Sequence, residues 1–539
     1  MKHQYIFSIG VILWLLIGCS KIPQTDTVIQ NGTIYDGSGS KPFLGTVALK
    51  NDRIIYVGPP KTFKADQTLD ATGKAVSPGF INMLSWGYQS LLEDGRSLSD
   101  LKQGVTLEVF GEGTSPGPKG HPDSLDYVSF EGVMKKLENK TVSTNFASFL
   151  GAATVRIQHI GYANREATAF ELESMQNSVK KAMKEGAMGI GSSLIYAPGD
   201  YANTDELIAL NRVASEWGGM YISHMRNEDH LVLEALDELF AIAKEANIRS
   251  EIYHLKASRK PNWHLLDTII ERVENAQKEG LKITADMYTY PASSTGLTGV
   301  IPTWVQEGGH DAWMKRMREP KPRKRLLEDI RKELLQQPPE GILMVGFNTQ
   351  SVAEKYQGKT IAEASKMRNQ SPEETIVDLI LEDDSRIQCI YFSMSEKNIE
   401  KKVQLPWVSF CSDAGSYSDP KEGFRTHPRA FGSFIRVLGK YAREQKSLSL
   451  EEAIRKLSGF PAQNLRLKDR GLLKENYFGD VVVFDPKTVN DLATFEDPLQ
   501  YAVGVEHVWV NGVQVLKNGN HTEQFPGRFV RGPGYQPKN

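Results

Sequence analysis

Three things are scarce in this sequence of 539 residues: cysteine, an excess of charge of either sign, and long apolar runs. The three cysteines are too few for a disulfide framework. Lys and Arg total 64 against 66 for Asp and Glu, so the composition gives no indication of a nucleic-acid surface. Small neutral or mildly charged substrates fit this composition better.

The N-terminal apolar run, Tyr5 to Gly18, is too short to span a bilayer comfortably but suits the core of a signal peptide. It ends in "LIGCS", which resembles the bacterial lipobox, a motif whose cysteine is lipidated. We therefore predict that residues 1–19 are a lipoprotein-type signal, that Cys19 carries the lipid, and that the protein is anchored in the bacterial cell envelope. An ordinary secretory signal with a chance cysteine is the alternative. Cys389 and Cys411 are then expected to be buried free thiols.

Short strands with Gly and Asn turns occur near both ends of the chain. They are "TVIQNGTIYDGSG" and "GTVALKNDRIIYVG" on one side and "GDVVVFDP" and "VEHVWVNGVQVLKNG" on the other. This pattern predicts a small β-sandwich domain built from residues 20–77 together with 470–539.

The central region alternates strands with helices of three or four turns. In "NTDELIALNRVASEWGG", Asn203 can cap a helix whose apolar stripe includes Leu207 and Leu210. Three strands end on polar residues, His224, His254 and Asp286, which lie 30 and 32 residues apart, about one βα unit each.

Eight such strands can be counted, the last being "LPWVSFCSD", which ends at Asp413. The pattern predicts an α/β fold, a (β/α)8 barrel formed by residues 78–295 and 385–469 with its active site at the carboxyl ends of the strands. An open doubly wound sheet is the competitor, but no Gly-rich phosphate motif follows the first strand. Residues 296–384 are too long for a plain loop and predict an inserted lobe over the barrel mouth. The basic cluster in that lobe, "KRMREPKPRKR", is typical of a solvated helix face.

Histidines and carboxylates at strand ends are typical of metal-dependent hydrolases. Imidazole nitrogens hold zinc, and a carboxylate takes a proton from water. A histidine at a strand end is also often a structural hydrogen bonder, so the spacing of His224 and His254 leaves that alternative open. Asp413 is the stronger indication, because an acid at the end of an apolar strand must be paired or used.

Five stretches resemble the D-aminoacylase, or N-acyl-D-amino-acid deacylase, branch of the amidohydrolase superfamily. They are "GAMGIGSSLIYAPGDYANTDELIAL", "GGMYISHMRNEDHLVLEAL", "ITADMYTYPASSTGL", "THPRAFGSFIRVLGKY" and "FGDVVVFDP". The resemblance runs from about Thr27 to Gly534. It implies that His224 and His254 hold a tightly bound zinc ion and that Asp413 is the general base, which also returns the proton to the leaving amine.

The resemblance also implies substrate contacts. Arg226 is expected to hold the substrate carboxylate, with a salt bridge to Glu228 or Asp229 as the alternative. Further contacts are expected from Tyr196, Lys256 and Ser293. The histidine of "THPR", His427, is expected to be structural rather than a metal ligand.

Two departures from the pattern of the superfamily limit what can be carried over. The first strand, "SPGFINMLSW", has Leu84 and Trp86 where the superfamily has His-x-His, so the second metal position is expected to be empty. The zinc-binding cysteine of "GNCG" is also missing from "VFGEGTS", where Glu112, one residue out of register, is the candidate ligand. The alternative is that Glu112 is a surface or supporting acid.

The sequence thus predicts an exported hydrolase with one zinc ion, held by His224, His254 and Glu112, and with Asp413 as base. The expected substrate is a small N-acyl-D-amino acid or a dipeptide, with no nucleic-acid partner and only a lipid anchor for membrane contact. Two alternatives remain open. One is a D-dipeptidase or cyclic-amide hydrolase on the same barrel, and the other is a metal-free, catalytically silent binding protein.

Overall fold

A computed structural model describes residues 24–420 and 423–537. The signal segment and Cys19 lie outside the described residues, so the lipid anchor stays a prediction. Within the described ranges, no helix is long and apolar enough to cross a membrane. The described thiols, Cys389 and Cys411, are buried and unbridged, as predicted.

The strands fall into three groups along the chain. Those of the N-terminal part are β1 (Gln24–Ile34), β2 (Phe43–Lys50), β3 (Arg53–Gly58), β4 (Lys64–Asp70) and β5 (Ala75–Pro78). The central strands are β6 (Phe80–Asn82), β7 (Val105–Phe110), β8 (Asn145–Ser148), β9 (Leu150–Gly151), β10 (Gly189–Ser193), β11 (Met220–His224), β12 (Ser250–Ile252) and β13 (Ile283–Ala285). Then follow β14 (Ser293–Gly296), β15 (Ile342–Gly346), β16 (Gln388–Tyr391), β17 (Val481–Phe484), β18 (Val505–Val510), β19 (Val513–Lys517) and β20 (Asn520–His521).

The helices occupy the central part and the segment between β14 and β17. The first nine are α1 (Tyr88–Glu93), α2 (Leu98–Leu101), α3 (Phe130–Lys140), α4 (Ala152–His159), α5 (Ala169–Lys184), α6 (Thr204–Glu216), α7 (Val232–Glu245), α8 (Leu266–Lys278) and α9 (Thr303–Gln306). The others are α10 (His310–Arg318), α11 (Pro320–Glu333), α12 (Gln350–Tyr356), α13 (Ile361–Arg368), α14 (Pro372–Asp383), α15 (Glu396–Val403), α16 (Arg429–Arg436), α17 (Leu450–Leu457) and α18 (Gly459–Asn464). Short 3-10 turns lie at Gly199–Tyr201, Lys260–Leu265, Leu297–Val300 and Pro339–Gly341, and a π-helical turn at Val437–Glu444.

The two ends of the chain share one mixed sheet. Its strand order is β20-β19-β18-β17-β5-β1-β2-β3, with β4 paired to β1, so the junction between the termini is the antiparallel pair β5 and β17. A hydrophobic cluster with Ile29, Val47 and Trp509 packs against this sheet. The predicted pairing of the termini is therefore present, whereas the division into two facing layers and the domain boundaries stay predictions.

The central strands run parallel, in the orders β6-β7-β8 and β9-β10-β11-β12-β13. The segment predicted as the eighth strand is not a regular strand, but its backbone bonds to both neighbours. Met287 N donates to Ser409 O at 3.1 Å, and Asp413 N donates to Leu84 O at 2.9 Å. These bonds connect β13 back to the end of β6, and a parallel bridge joins Ser85 to Ala414.

Helix α6 shows how the sequence builds the outer layer of this α/β region. Asn203 caps it by accepting a hydrogen bond from Glu206 N at 2.9 Å, a cap that stabilises a helix by about 1 kcal/mol. Its buried face presents Leu207 and Leu210, as the apolar stripe predicted. Strand β11 thus follows directly from a helix whose apolar face is buried.

The chain between β13 and the eighth strand position forms its own hydrophobic cluster, which runs from Leu297 to Tyr391 and includes Trp313, Ile342 and Ile376. The basic stretch there lies on α10 and α11, whose buried residues are apolar. The segment also contributes β14, β15 and β16, which form a three-stranded antiparallel sheet.

Candidate active site

A cavity of about 560 Å³ opens where the parallel strands end. One wall consists of residues at the carboxyl ends of β7, β10, β11 and β12, and the other includes the whole of β14 and two residues of β16. Pockets of this size suit small-molecule substrates. The end of a parallel ring is also where such folds place catalytic side chains.

The structure brings Glu112, His224 and His254 together at the floor of this cavity. The Oε1 atom of Glu112 lies 2.9 Å from Nδ1 of His224 and 2.9 Å from Nε2 of His254. All three side chains are buried, and one donor atom from each lies within 4.8 Å of the others. Two imidazoles and one carboxylate in this arrangement are an accepted catalytic zinc set.

Local backbone geometry explains why Glu112 points into the cavity. It lies between two glycines with positive φ, Gly111 at +109° and Gly113 at +65°. A Cβ on Gly113 would lie 2.5 Å from Cβ of Ser193, so this position has no room for a side chain. The turn therefore presents a carboxylate from residue 112 and cannot present a cysteine from residue 113.

His254 is held in an uncommon conformation, with φ at +34°. Its backbone N–H donates to Oδ1 of the buried Asp286 at 2.7 Å. Non-glycine residues in this region are strained, and such residues cluster at functional sites. Asp286, which the strand spacing grouped with the two histidines, thus supports the backbone of His254.

Electrostatics inside the cluster follow from burial and from paired charges. Burial alone raises the pKa of Glu112, but hydrogen bonds from His224 and His254 outweigh it and hold the pKa well below its usual range. Burial and the Lys256 ammonium lower the pKa of His254, but the carboxylates of Glu228 and Glu112 raise it by more. The pKa of His254 is therefore about 10. The carboxylates of Glu112 and Glu228 thus lie against the His254 imidazole and the Lys256 ammonium, and each charge is balanced within the buried cluster.

Glu228 is a site residue that the sequence analysis considered only as a partner for Arg226. Its carboxylate lies 3.0 Å from Nδ1 of His254, 3.5 Å from Nε2 of His224 and 2.9 Å from Nζ of Lys256. It contacts both histidines on the side opposite Glu112, and carboxylates in that position orient histidine ligands. Its spacing of four residues from His224 was the available signal.

Asp413 lies on the cavity wall, also in a left-handed conformation with φ at +48°. Its Oδ2 atom lies 2.6 Å from Nη1 of Arg429, and its Oδ1 atom accepts a hydrogen bond from Nε1 of Trp86 at 3.2 Å. Arg429 belongs to the "THPR" stretch, in which sequence reasoning singled out His427 alone. The buried His427 contacts Ala292 O at 3.0 Å and Arg429 N at 3.0 Å, so it supports the loop.

The predicted substrate contacts divide into two groups. Tyr196, Lys256 and Ser293 all line the cavity. The Tyr196 hydroxyl donates to Oγ1 of Thr295 at 2.8 Å, and its ring lies 5.4 Å from the His224 ring. Lys256 is paired with Glu228, so its ammonium is not free for a ligand without rearrangement.

Arg226 is the exception, because the structure does not place it among the residues that line this cavity. Its guanidinium donates to both carboxylate oxygens of Glu238 at 2.9 Å each and to the carbonyls of Asp200 and Ala202. The expectation that Arg226 holds the substrate carboxylate is therefore corrected. The alternative of a salt bridge was closer, although the partner lies on α7 rather than at Glu228 or Asp229.

Comparison with known proteins identifies similar hydrolases. Residues 412–516 match the Amidohydrolase family. An N-acyl-D-glutamate deacylase of Alcaligenes xylosoxydans xylosoxydans is 30% identical over 94% of this chain and 96% of its own length. A D-aminoacylase of the same organism is 29% identical over 94% of this chain and 97% of its own length.

Solved structures give the same result. A Bordetella bronchiseptica N-acyl-D-glutamate deacylase, in complex with zinc and a phosphonate mimic of the tetrahedral intermediate, has a TM-score of 0.80 at 27% identity. A D-aminoacylase structure, described by one-metal activation and second-metal attenuation at a binuclear metal centre, has a TM-score of 0.79 at 29% identity. Each match covers 94% of this chain and 100% of the other.

Fold and site together define a metal-dependent amidohydrolase, an α/β enzyme of the TIM-barrel type with an additional domain. More narrowly, the chain belongs to the D-aminoacylase, or N-acyl-D-amino-acid deacylase, branch of that superfamily.

Proposed function

We propose that the protein hydrolyses the amide bond of N-acyl-D-amino acids with one zinc ion and with Asp413 as general base. The observation that carries the proposal is the convergence of Glu112, His224 and His254 in the cavity that Asp413 also lines. The names of the similar deacylases support the substrate class.

The donor set fits zinc on its own chemistry. Imidazole nitrogen and carboxylate oxygen are ordinary zinc ligands, and three protein ligands leave a position open, as catalytic sites require. The ring nitrogens that face Glu112 are Nδ1 of His224 and Nε2 of His254, each 2.9 Å from its Oε1 atom, so one donor from each residue converges on the same point. A bound zinc ion would supply a Lewis acid that polarises the amide carbonyl and promotes ionisation of water.

The proton chemistry belongs to Asp413. Its carboxylate takes the proton of the attacking water and delivers it to the leaving amine, as expected of one group acting first as base and then as acid. Arg429 and Trp86 contact one carboxylate oxygen each and so fix the plane of the group.

A single metal position is favoured by the first strand. Leu84 is fully buried and Trp86 lines the cavity, and neither can ligate a metal. The similar D-aminoacylase is described as activated by one metal and attenuated by a second. Loss of the second position is therefore compatible with activity.

The charge of the cavity favours an anionic substrate. Its cations are Lys256, Arg259, Arg386, Arg425 and Arg429, against the acids Glu112, Glu228 and Asp413. Lys256, Arg259 and Arg429 each pair with an acid. In the described chain, the Arg386 guanidinium instead donates to the hydroxyls of Thr298 and Thr295 and has no carboxylate partner.

Arg386 is therefore our candidate for holding a substrate carboxylate, the role first assigned to Arg226. Its Cζ lies 5.4 Å from the Tyr196 ring, which lies 5.4 Å from the His224 ring. The guanidinium is thus within about 11 Å of the His224 ring. An extended N-acyl amino acid, with bonds of about 1.5 Å each, spans a similar distance. A guanidinium binds a carboxylate through two parallel hydrogen bonds.

The test measures zinc content and amide hydrolysis together. We expect about one zinc per chain and release of amino acid from N-acetyl-D- but not N-acetyl-L-amino acids. Asp413→Asn should keep its zinc and lose about 10²- to 10⁴-fold in kcat, whereas the double variant His224→Ala, His254→Ala should lose the metal. D-dipeptides and dihydropyrimidines tested side by side address the alternative substrates. A protein that binds no zinc after reconstitution and hydrolyses no amide would refute the proposal.

We also propose that the protein is exported and anchored through a lipid on Cys19. Support comes from the leader sequence alone, an apolar run followed by a lipobox-like "LIGC".

A further inference from the structure

We infer that Trp86 is a positioning residue for Asp413, and that its indole N–H serves turnover at a place where the superfamily pattern has a metal-binding histidine. The inference rests on the proposed function, because it concerns the general base of that reaction. The observation behind it is a direct contact: Nε1 of Trp86 donates to Oδ1 of Asp413 at 3.2 Å.

Trp86 and Arg429 contact different oxygens of the Asp413 carboxylate. Nη1 of Arg429 lies 2.6 Å from Oδ2, on the other oxygen. With the Arg429 cation at one oxygen and the indole N–H at the other, the carboxylate can rotate about its last side-chain bond only by breaking one of these two contacts. Without the indole, the ion pair with Arg429 would still hold Asp413 but would leave Oδ1 without this donor.

Backbone bonds hold the two side chains in this relation. Trp86 N donates to Ala414 O at 2.9 Å, and Asp413 N donates to Leu84 O at 2.9 Å. Ser85 and Ala414 also form a parallel bridge. The indole and the carboxylate thus project from two strand ends that are hydrogen-bonded on both sides of the contact.

The residues on either side of Trp86 are held against the buried carboxylate of Glu108. Ser85 Oγ donates to Oε2 of Glu108 at 2.7 Å and accepts from Gly87 N at 2.9 Å. A Cβ on Gly87 would lie 2.5 Å from that same Glu108 oxygen. The residues before and after Trp86 are therefore held in place, which argues that its side chain is not there merely as a surface aromatic.

The role is separable from space filling. Leu84, the other residue that replaces a histidine, is fully buried and apolar and does no more than pack in a hydrophobic cluster. Trp86 remains 47% exposed and lines the cavity. A residue that served only to fill space would not need to present its polar edge to the base.

The experiment compares Trp86→Phe with a matched control. Phenylalanine keeps an aromatic ring but has no N–H. The control is Trp304→Phe in the inserted segment, which removes a similar bond, from Nε1 of Trp304 to Oδ2 of Asp329 at 3.2 Å, away from the cavity. Both variants are purified as full-length zinc-loaded enzyme, with zinc content and melting temperature measured alongside kinetics.

We expect Trp86→Phe to lower kcat on the order of tenfold, the effect of losing one hydrogen bond to a charged group. KM and zinc content should stay within about twofold of the parent values, and the melting temperature within about one degree. Trp304→Phe should leave kcat unchanged. If kcat of Trp86→Phe also stays unchanged, or if kcat and zinc content fall together, the inference is overturned.

A spectroscopic readout separates this inference from the proposed function. In the indole ¹⁵N–¹H spectrum, Trp86→Phe identifies the Trp86 resonance, which Asp413→Asn should shift because a neutral amide is a weaker acceptor. A resonance that Asp413→Asn leaves in place overturns the inference. If the resonance shifts but the parent enzyme hydrolyses no amide, the contact exists, while the proposed function and the role in turnover both fail.

Discussion

Glu108 makes a sharp prediction about how stability depends on pH. The side chain is fully buried in β7. Burial raises its pKa, the nearby Asp100 raises it further, and hydrogen bonds from Ser85 and Thr144 lower it only in part, so that the pKa is about 8. The pKa of Asp100 itself is raised by burial to about 6.

The direction of this pH dependence follows from the difference between the folded and unfolded pKa of Glu108. The folded pKa of Glu108 lies above its ordinary value of 4.5, so the folded state binds the proton more tightly than the unfolded chain does. The stabilisation is fully present below pH about 4.5 and is lost as the pH rises through about 8. At 1.36 kcal/mol per pKa unit, the upper limit is about 5 kcal/mol, and a few kcal/mol is expected once relaxation around the charge is allowed for.

The assay is the melting temperature of the parent protein and of Glu108→Gln at pH 5.5 and 8.5. Glutamine keeps the shape and hydrogen-bonding capacity of the side chain but cannot ionise. Between pH 5.5 and 8.5 the melting temperature of the variant should therefore fall by a few degrees less than that of the parent protein. Glu171→Gln is the control. Hydrogen bonds from Arg165 and from the backbone of Thr168 lower the pKa of Glu171 to about 2, so its effect is lost only below pH about 4.5. If the melting temperatures of the parent and of Glu108→Gln change by the same amount between pH 5.5 and 8.5, the reasoning is refuted.

Four further outcomes are expected. Arg226→Met should lower the melting temperature, because it leaves Glu238 without its partner, yet keep KM within twofold; a large rise in KM would return Arg226 to the substrate site. Glu228→Gln should weaken zinc binding about 10- to 100-fold, measured by competition with a chelator; unchanged affinity would remove Glu228 from the support of the histidines. The double variant Leu84→His, Trp86→His should be able to take up a second metal, and a parent enzyme that already holds two would contradict the single-metal proposal. Cys19→Ala should move the protein from the membrane to the soluble fraction, and unchanged partition would exclude the anchor.

Sequence reasoning succeeded where spacing along the chain determines position in space. His224 ends β11 and His254 follows the neighbouring parallel strand β12 by two residues, so the sheet must bring them to the same edge. Glu112 could be anticipated for the same reason, because it follows β7 by two residues. The coupling of the two termini was likewise visible in their shared strand pattern.

Sequence reasoning missed contacts that depend on how the chain folds back on itself. Arg226 follows His224 by two residues, and the sequence gives no indication that Glu238 on α7 lies close enough to bind it. Arg429 was missed because its link to Asp413 depends on how the chain turns between them. The hydrogen bond from Trp86 to Asp413 joins residues 327 positions apart, which come together only when the eighth strand position pairs with the first strand.

The altered first strand then has a physical explanation that does not require loss of the site. What the strand end must provide is a fixed frame next to Asp413, and the bonds from Asp413 N to Leu84 O and from Trp86 N to Ala414 O are made by backbone atoms. Those bonds do not depend on the side chains at 84 and 86, so histidines can be exchanged there without moving the eighth strand position. The conditions on the side chains are that residue 84 fits a closed hydrophobic cluster and that residue 86 can reach the carboxylate. Leucine and tryptophan meet both conditions, so a chain without the His-x-His pair keeps Asp413 in one cavity with Glu112, His224 and His254.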